Sequence, residues 1–252
     1  MNVLKTQIIS RENISQYYKE HGFVLLKNIL DLDQIKAIKK DLTNYFKKFV
    51  KNSVDFDSAV INLNKNNKEL LYKLHTESEK HISFNALLPT LQNIINDIEK
   101  NDKPIHTITP GTYFLSIPRD KRLVYNFHQE SNYMKDFNNI YNIHYPLFRK
   151  STKNNGTMSI LAGSHRLGTM NFEKQRSSKN SYTDLIPENI DLIKKKFKEL
   201  HVELEVGDCF IFNKDLIHKS NYNNSDLCRP VGIFRLTTSP KEDFVPQMPD
   251  EL

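Results

Sequence analysis

The chain has 252 residues, 38% hydrophobic and 26% charged, a balance that fits a folded protein with a sizeable core and excludes a disordered or fibrous chain. Its 36 Lys and Arg against 30 Asp and Glu leave a formal charge of +6, but the lysines are scattered through amphipathic segments such as 35–51 and 192–198, so no nucleic-acid partner is expected. Two cysteines, Cys209 and Cys228, exclude a disulfide framework, no apolar run is long enough to cross a bilayer, and no apolar leader opens the sequence, so a cytoplasmic protein without a membrane partner is expected.

Residues 12–21 read as a helix closed by Gly22, a good C-cap residue, and a short apolar run Phe23-Val24-Leu25-Leu26 follows. A second helix is expected from Asp31 or Asp33, with Ile35, Ile38, Leu42, Tyr45 and Phe46 on one face. Further helical patterning lies at 68–74 and 91–98, so residues 1–106 are predicted to form a mainly helical layer. From Thr107 the character changes to short β-branched and aromatic runs at 113–117, 123–130, 140–148, 157–161, 202–206 with 210–212, and 231–237. Residues 201–206 alternate strictly, as a half-buried strand should, and Gly207-Asp208 supplies a turn. A polar insertion at 169–200 holds one expected helix, 187–198; its first part carries Lys174, Arg176 and Lys179 and reads equally as a lid or as a surface loop. The pattern predicts one domain over 1–252, with the helical layer packed on an antiparallel β-sandwich or barrel at 107–240.

The chemistry centres on Phe127-His128-Gln129-Glu130. On a strand, residues at i and i+2 share a face, so His128 and Glu130 would present an imidazole and a carboxylate side by side. His218 is the third ligand candidate, and two histidines with one carboxylate on a β scaffold form a facial triad that leaves metal positions open. By itself the two-residue spacing is a weak signal, and a histidine satisfied by its neighbours is the simpler reading of it. Arg229, eleven residues after His218, changes that balance, because arginine's planar fork suits the distal carboxylate of 2-oxoglutarate. Ser220 would share a face with His218 in an extended stretch, and Arg235 competes with Arg229 on the same expected strand. His144 shares a face with Asn142, and the pattern leaves open whether that face looks into the site or outward.

In this order and spacing the chain resembles the phytanoyl-CoA dioxygenase family of iron(II)/2-oxoglutarate oxygenases. The blocks that carry the resemblance are Gly22-Phe23-Val24-Leu25-Leu26, the His128/Glu130 pair, Asn154-Asn155-Gly156-Thr157, Gly163-Ser164-His165, Gly207-Asp208, His218-Lys219-Ser220 and Arg229. The resemblance implies a mainly β fold with a helical layer, a double-stranded β-helix of jelly-roll type. It also implies iron(II) held by His128, Glu130 and His218, with 2-oxoglutarate and O2 as co-substrates, and succinate and CO2 as products beside a hydroxylated small molecule. Arg229 and Ser220 would bind 2-oxoglutarate, with Tyr145 lining the same pocket. One residue departs from the family pattern: the acidic ligand is Glu130 and not aspartate. A carboxylate here argues for hydroxylation over halogenation, since halogenases of this group carry a small residue at that position. The competing readings are an oxygenase acting on a nucleic acid or a protein side chain, and an inactive β-sandwich binding module, which would have no need of all four residues. Substrate identity and oligomeric state are not legible from these residues.

Overall fold

The computed structural model describes residues 4, 13–51, 53–121, 124–176 and 183–239. The chain begins with α1 (Ile14–His21), β1 (Phe23–Leu26), α2 (Leu32–Lys47), α3 (Phe56–Asn66), α4 (Lys68–His81) and α5 (Leu88–Glu99). It continues through β2 (His106–Ser116), β3 (Tyr141–Pro146), β4 (Ser159–Leu161), β5 (Phe172–Arg176), β6 (Thr183–Pro187), α6 (Ile190–Lys196), β7 (Glu199–His201), β8 (Cys209–Asn213), β9 (His218–Lys219) and β10 (Arg229–Thr237).

The helix ends follow from local chemistry. Gly22 takes the left-handed conformation after α1 with φ 77°, and a Cβ there would come within 2.3 Å of the His165 ring. The side chain of Asp31 accepts hydrogen bonds from the backbone N–H groups of Asp33 and Gln34 and so starts α2. In α3 the carboxylate of Asp55 and the hydroxyl of Ser58 form a reciprocal capping box. Each helix buries one stripe, which in α2 is Ile35, Ile38, Leu42 and Phe46.

The strands form antiparallel sheets: five strands in the order β1-β8-β3-β10-β2, three in the order β7-β4-β9, and the hairpin β5-β6. The five-stranded sheet divides its side chains by the period-two rule. Val24, Ile143, Tyr145, Cys209, Ile211 and Phe234 face the helices in one core. Phe23, Leu25, Phe210 and Phe212 face the three-stranded sheet and meet Ile160, Val202 and Leu204 in a second core. Two facing antiparallel sheets with the helices outside make the double-stranded β-helix with a helical layer expected above. Among the described residues, no helix is long and apolar enough to cross a membrane.

Several expected elements change. Residues 123–130 do not form a strand: Leu123 lies outside the described residues, His128 makes an isolated bridge, and Glu130–Asn132 is a 3-10 turn. Residues 202–206 keep the alternating burial but not the ladder. Leu204 pairs singly with Ser151, because the turn between Thr152 and Thr157 interrupts the partner strand. The insertion's polar first part contains the hairpin β5-β6, and the helix after it is shorter than expected, Ile190–Lys196. Lys179 and the rest of 177–182 lie outside the described residues.

A charged contact ties the helical layer to the segment after β3 and to the residue just before β10. Asp57 of α3 takes Arg149 in two hydrogen bonds, at 3.2 and 2.6 Å, and also accepts from the backbone N–H of Cys228 at 2.6 Å. Replacing Asp57 strands a largely buried guanidinium and a buried amide together. Asp57→Ala is therefore expected to lower the free energy of unfolding by ~2–4 kcal/mol, measured by urea denaturation.

Candidate active site

His128 and His218 stand ninety residues apart in sequence and are joined by reciprocal backbone hydrogen bonds of 2.9 and 3.0 Å. The bridge sets their rings 4.2 Å apart, centroid to centroid. Gln129 is extended, with φ −117° and ψ 141°, before the chain turns at Glu130. One ligand atom each from His128, Glu130 and His218 lie within 4.8 Å of one another, and all three residues are buried.

The hydrogen bonds of the two rings decide which nitrogen is free. Nδ1 of His128 lies 2.7 Å from the carbonyl oxygen of Asn126, and Nδ1 of His218 lies 2.8 Å from that of Leu216. A carbonyl can only accept, so each Nδ1 carries the proton and donates it. In the neutral ring this leaves Nε2 with an unprotonated lone pair, as a metal ligand requires. Burial pushes the pKa of His128 down against the opposing pull of Glu130, and burial together with His128 pushes that of His218 well down. The donor set, two neutral imidazoles and a carboxylate, fits an iron(II)-type ion with positions to spare.

The segment that carries His128 and Glu130 is held from several sides. Gln129 is fully buried, and its Nε2 donates to the carbonyls of Gly168 and Asp215 at 2.8 and 2.7 Å while its Oε1 accepts from Met170 N–H at 2.9 Å. Asp184 of β6, 1% exposed, accepts from the backbone N–H and the side-chain amide of Asn126. The Tyr133 hydroxyl bridges Thr183 and Leu185, so the hairpin β5-β6 is docked on both flanks of the 128–130 segment.

A cavity of about 570 Å³ opens on the three ligands, with Tyr72, His75, Phe114, Tyr125, Tyr133 and Met134 in its wall. Arg229 lines the cavity at the start of β10, only 5% exposed. Its Nε and one terminal nitrogen donate to the carbonyls of Asn155 and Gly156 at 3.0 and 2.6 Å. The Asn154-Asn155-Gly156 block thus has a local purpose: Gly156 at φ 83° turns the chain so that these two carbonyls meet the guanidinium. Among the described residues no carboxylate pairs with Arg229, and burial alone lowers its pKa to about 10. Ser220 lines the same cavity, its N–H bonded to the Tyr125 carbonyl.

Arg235, further along β10, has a different partner: its Nε donates to Oε1 of Glu130 at 2.7 Å. His144 faces the cavity, edge-on to Phe212 at 5.2 Å, which resolves the side left open by the sequence pattern. Tyr145 is the correction. One residue on, it points to the helical side, fully buried, with its ring so close over Gly232 that a Cβ there would lie 2.1 Å away. The side-chain amide of Asn126 is taken by Asp184. Gly163-Ser164-His165 is a turn in which Ser164 Oγ accepts from Ile217 N–H at 2.9 Å. Arg235 as a partner of the acidic ligand was missed, although its even spacing from Arg229 was a usable signal. Asp184 had no local signal at all.

Burial, reinforced by Arg235, Arg229 and His128, lowers the pKa of His144 from 6.5 to about 3. The unfolded chain therefore takes up this proton near pH 6.5 while the folded protein does not, so stability is lost as pH falls from 6.5 toward 3. Metal-free protein carrying His144→Phe should lose about 2 kcal/mol less than the parent between pH 7 and pH 5. Urea unfolding at the two pH values measures the difference.

Residues 18–231 match the family described as phytanoyl-CoA dioxygenase (PhyH). No curated protein matches the chain by sequence. Among solved structures, EvdO2 from Micromonospora carbonacea var. aurantiaca complexed with 2-oxoglutarate is similar with a TM-score of 0.62 at 13% identity, covering 99% of this chain and 98% of that one. AviO1 from Streptomyces viridochromogenes Tue57 has a TM-score of 0.58 at 15% identity over 96% of this chain and all of its own. The epimerase SnoN, in complex with Fe3+, alpha ketoglutarate and nogalamycin RO, has a TM-score of 0.56 at 13% identity over 90% of this chain and 83% of its own. At these identities the likeness is one of fold.

Proposed function

The chain belongs to the phytanoyl-CoA dioxygenase family, and from that premise we propose that it is an iron(II)- and 2-oxoglutarate-dependent dioxygenase that hydroxylates a small, polar metabolite or biosynthetic intermediate. The observation that carries the reading is the pairing of two features in one cavity: a buried His-Glu-His cluster and, apart from it, the buried cation Arg229 with no carboxylate partner among the described residues. A buried cation left unpaired is costly, and a ligand carboxylate removes that cost.

In this reading His128, Glu130 and His218 hold the metal through two Nε2 atoms and a carboxylate. Arg229 binds the distal carboxylate of 2-oxoglutarate, and Ser220 adds a hydroxyl beside it. Iron, when bound, supplies dioxygen activation coupled to the oxidative decarboxylation of 2-oxoglutarate to succinate and CO2. The aromatic wall of Tyr72, Phe114, Tyr125 and Tyr133 excludes water from that chemistry and leaves room for a small substrate. Glu130, the one acid lining the cavity among the described residues, is paired with Arg235, and Lys219 is paired with Glu199, so it is the polar groups of the wall, such as Tyr125, Tyr133 and Ser220, that favour a polar substrate. The docked hairpin β5-β6 would serve as a cover on the 126–133 side.

Succinate release should require iron(II), 2-oxoglutarate and a substrate found by metabolite screening. Glu130→Ala is expected to abolish turnover and Glu130→Asp to keep part of it. Arg229→Gln should raise the KM for 2-oxoglutarate by about 30-fold or more, because it removes the charge partner of a buried carboxylate. Full activity in Glu130→Ala would overturn the ligand assignment.

A further inference from the structure

We propose that Arg235 is the positioning residue that lets a glutamate serve as the carboxylate ligand of this site. The inference rests on the metal-site reading above and concerns how that site is held. Glutamate reaches one methylene further than aspartate and has one more side-chain torsion. A free glutamate at this place would spread its carboxylate over several rotamers, and ordering it would cost entropy each time a metal binds. The Nε–H of Arg235 takes Oε1 of Glu130 at 2.7 Å, with the glutamate side chain 8% exposed and the arginine side chain 22% exposed. A carboxylate has two oxygens, so one held by Arg235 leaves the other for the metal.

The regular alternation of β10 aims Arg235 at this contact. β10 pairs with β3 in unbroken register, Ile233 with His144, Phe234 with Ile143 and Arg235 with Asn142. On its other edge, against β2, the register shifts between Ile233 and Arg235 and again between Arg235 and Leu236. The extra residues lie on β2, so β10 keeps its alternation and holds Arg235 on the same inner face as Arg229, Val231 and Ile233. The two arginines on the inner face of β10 then have separate partners. Among the described residues Arg229 bonds to backbone carbonyls and is left to attract an anion, whereas Arg235 is already committed to Glu130. Arg235 acts on the metal through Glu130 and is not itself a ligand.

The test is a cobalt(II) titration of metal-free protein, followed by ligand-field absorption without 2-oxoglutarate or turnover. Four proteins are compared: the parent, Arg235→Gln, Glu130→Asp and the double variant. Arg235→Gln should weaken cobalt binding roughly tenfold or more in the parent background, the range typical of groups that orient a metal ligand. In the Glu130→Asp background, where the shorter side chain does not depend on the arginine, the same change should cost less than about threefold, since only interacting positions show non-additive effects. Arg235→Lys, which restores the charge but not the planar fork, should recover part of the loss. Cobalt-saturated Arg235→Gln should bind 2-oxoglutarate within about twofold of the parent, whereas Arg229→Gln should not. Equal losses in both backgrounds, or no loss in Arg235→Gln, would overturn the positioning role. Failure of the parent to bind cobalt would instead overturn the metal-site reading on which it rests. A matching thermal midpoint for Arg235→Gln with and without Glu130→Asp separates these results from misfolding.

Discussion

Two hydrogen bonds between His128 and His218 are the constraint around which the rest of the site is arranged. They run N to O in both directions, so they fix the distance between the two segments and also their relative register. A slip of one residue in either segment would turn an imidazole to the opposite side. The structure guards against such a slip with side chains that make no use of the cavity. Gln129 spends every polar atom on Gly168, Met170 and Asp215, and Ser131 N–H reaches the Lys214 carbonyl. Breaking any one leaves a buried polar group unsatisfied, which costs more than the bond contributes when made. The relative placement of the two imidazoles is therefore set by the fold itself.

The five-stranded sheet separates the two kinds of chemistry by alternation. β3 sends Tyr141, Ile143 and Tyr145 into the helical core and keeps His144 on the cavity side. β10 does the same with Phe234 and Leu236 against Arg229, Val231, Ile233 and Arg235. The apolar side contributes stability through burial against α2 to α5. The inner side carries groups that cost desolvation, and each offsets it differently: Arg235 with a carboxylate, Arg229 with two carbonyls, His144 by remaining neutral.

What the sequence could disclose follows the same division. The convergence of His128, Glu130 and His218, with Arg229 in the same cavity, was legible because each lies in a short block with a recognisable neighbour. The strict alternation at 201–206 was real as burial, with Val202 and Leu204 inside, but alternation reports a half-buried edge and says nothing of whether a partner strand continues. The strand expected at 123–130 failed for a related reason, since residues 128 and 130 share a side in any locally extended stretch, whether or not a ladder runs through it. Tyr145 was misplaced by a single step of the same alternation: Tyr and His both suit a pocket, and only the packing of β3 on β10 over Gly232 tells them apart. Asp184 could not have been found, because its partner Asn126 lies 58 residues away across the insertion.

Glu130 shows how a departure from a family pattern can be read without invoking loss of function. In the proposed reading a longer ligand would need a second anchor, and the strand that would supply one also carries Arg229. Placing both arginines on one face keeps them in line but apart, with Val231 and Ile233 between them. Were Arg235 free, a second unpaired cation beside the histidines would oppose metal binding by simple repulsion. Were Arg229 paired with a protein carboxylate, it would have nothing left to offer an incoming anion. The two arginines of the cavity are unequal, Arg235 paired with Glu130 and Arg229 with no carboxylate among the described residues, and in the proposed reading this asymmetry would give an anionic co-substrate a single preferred end.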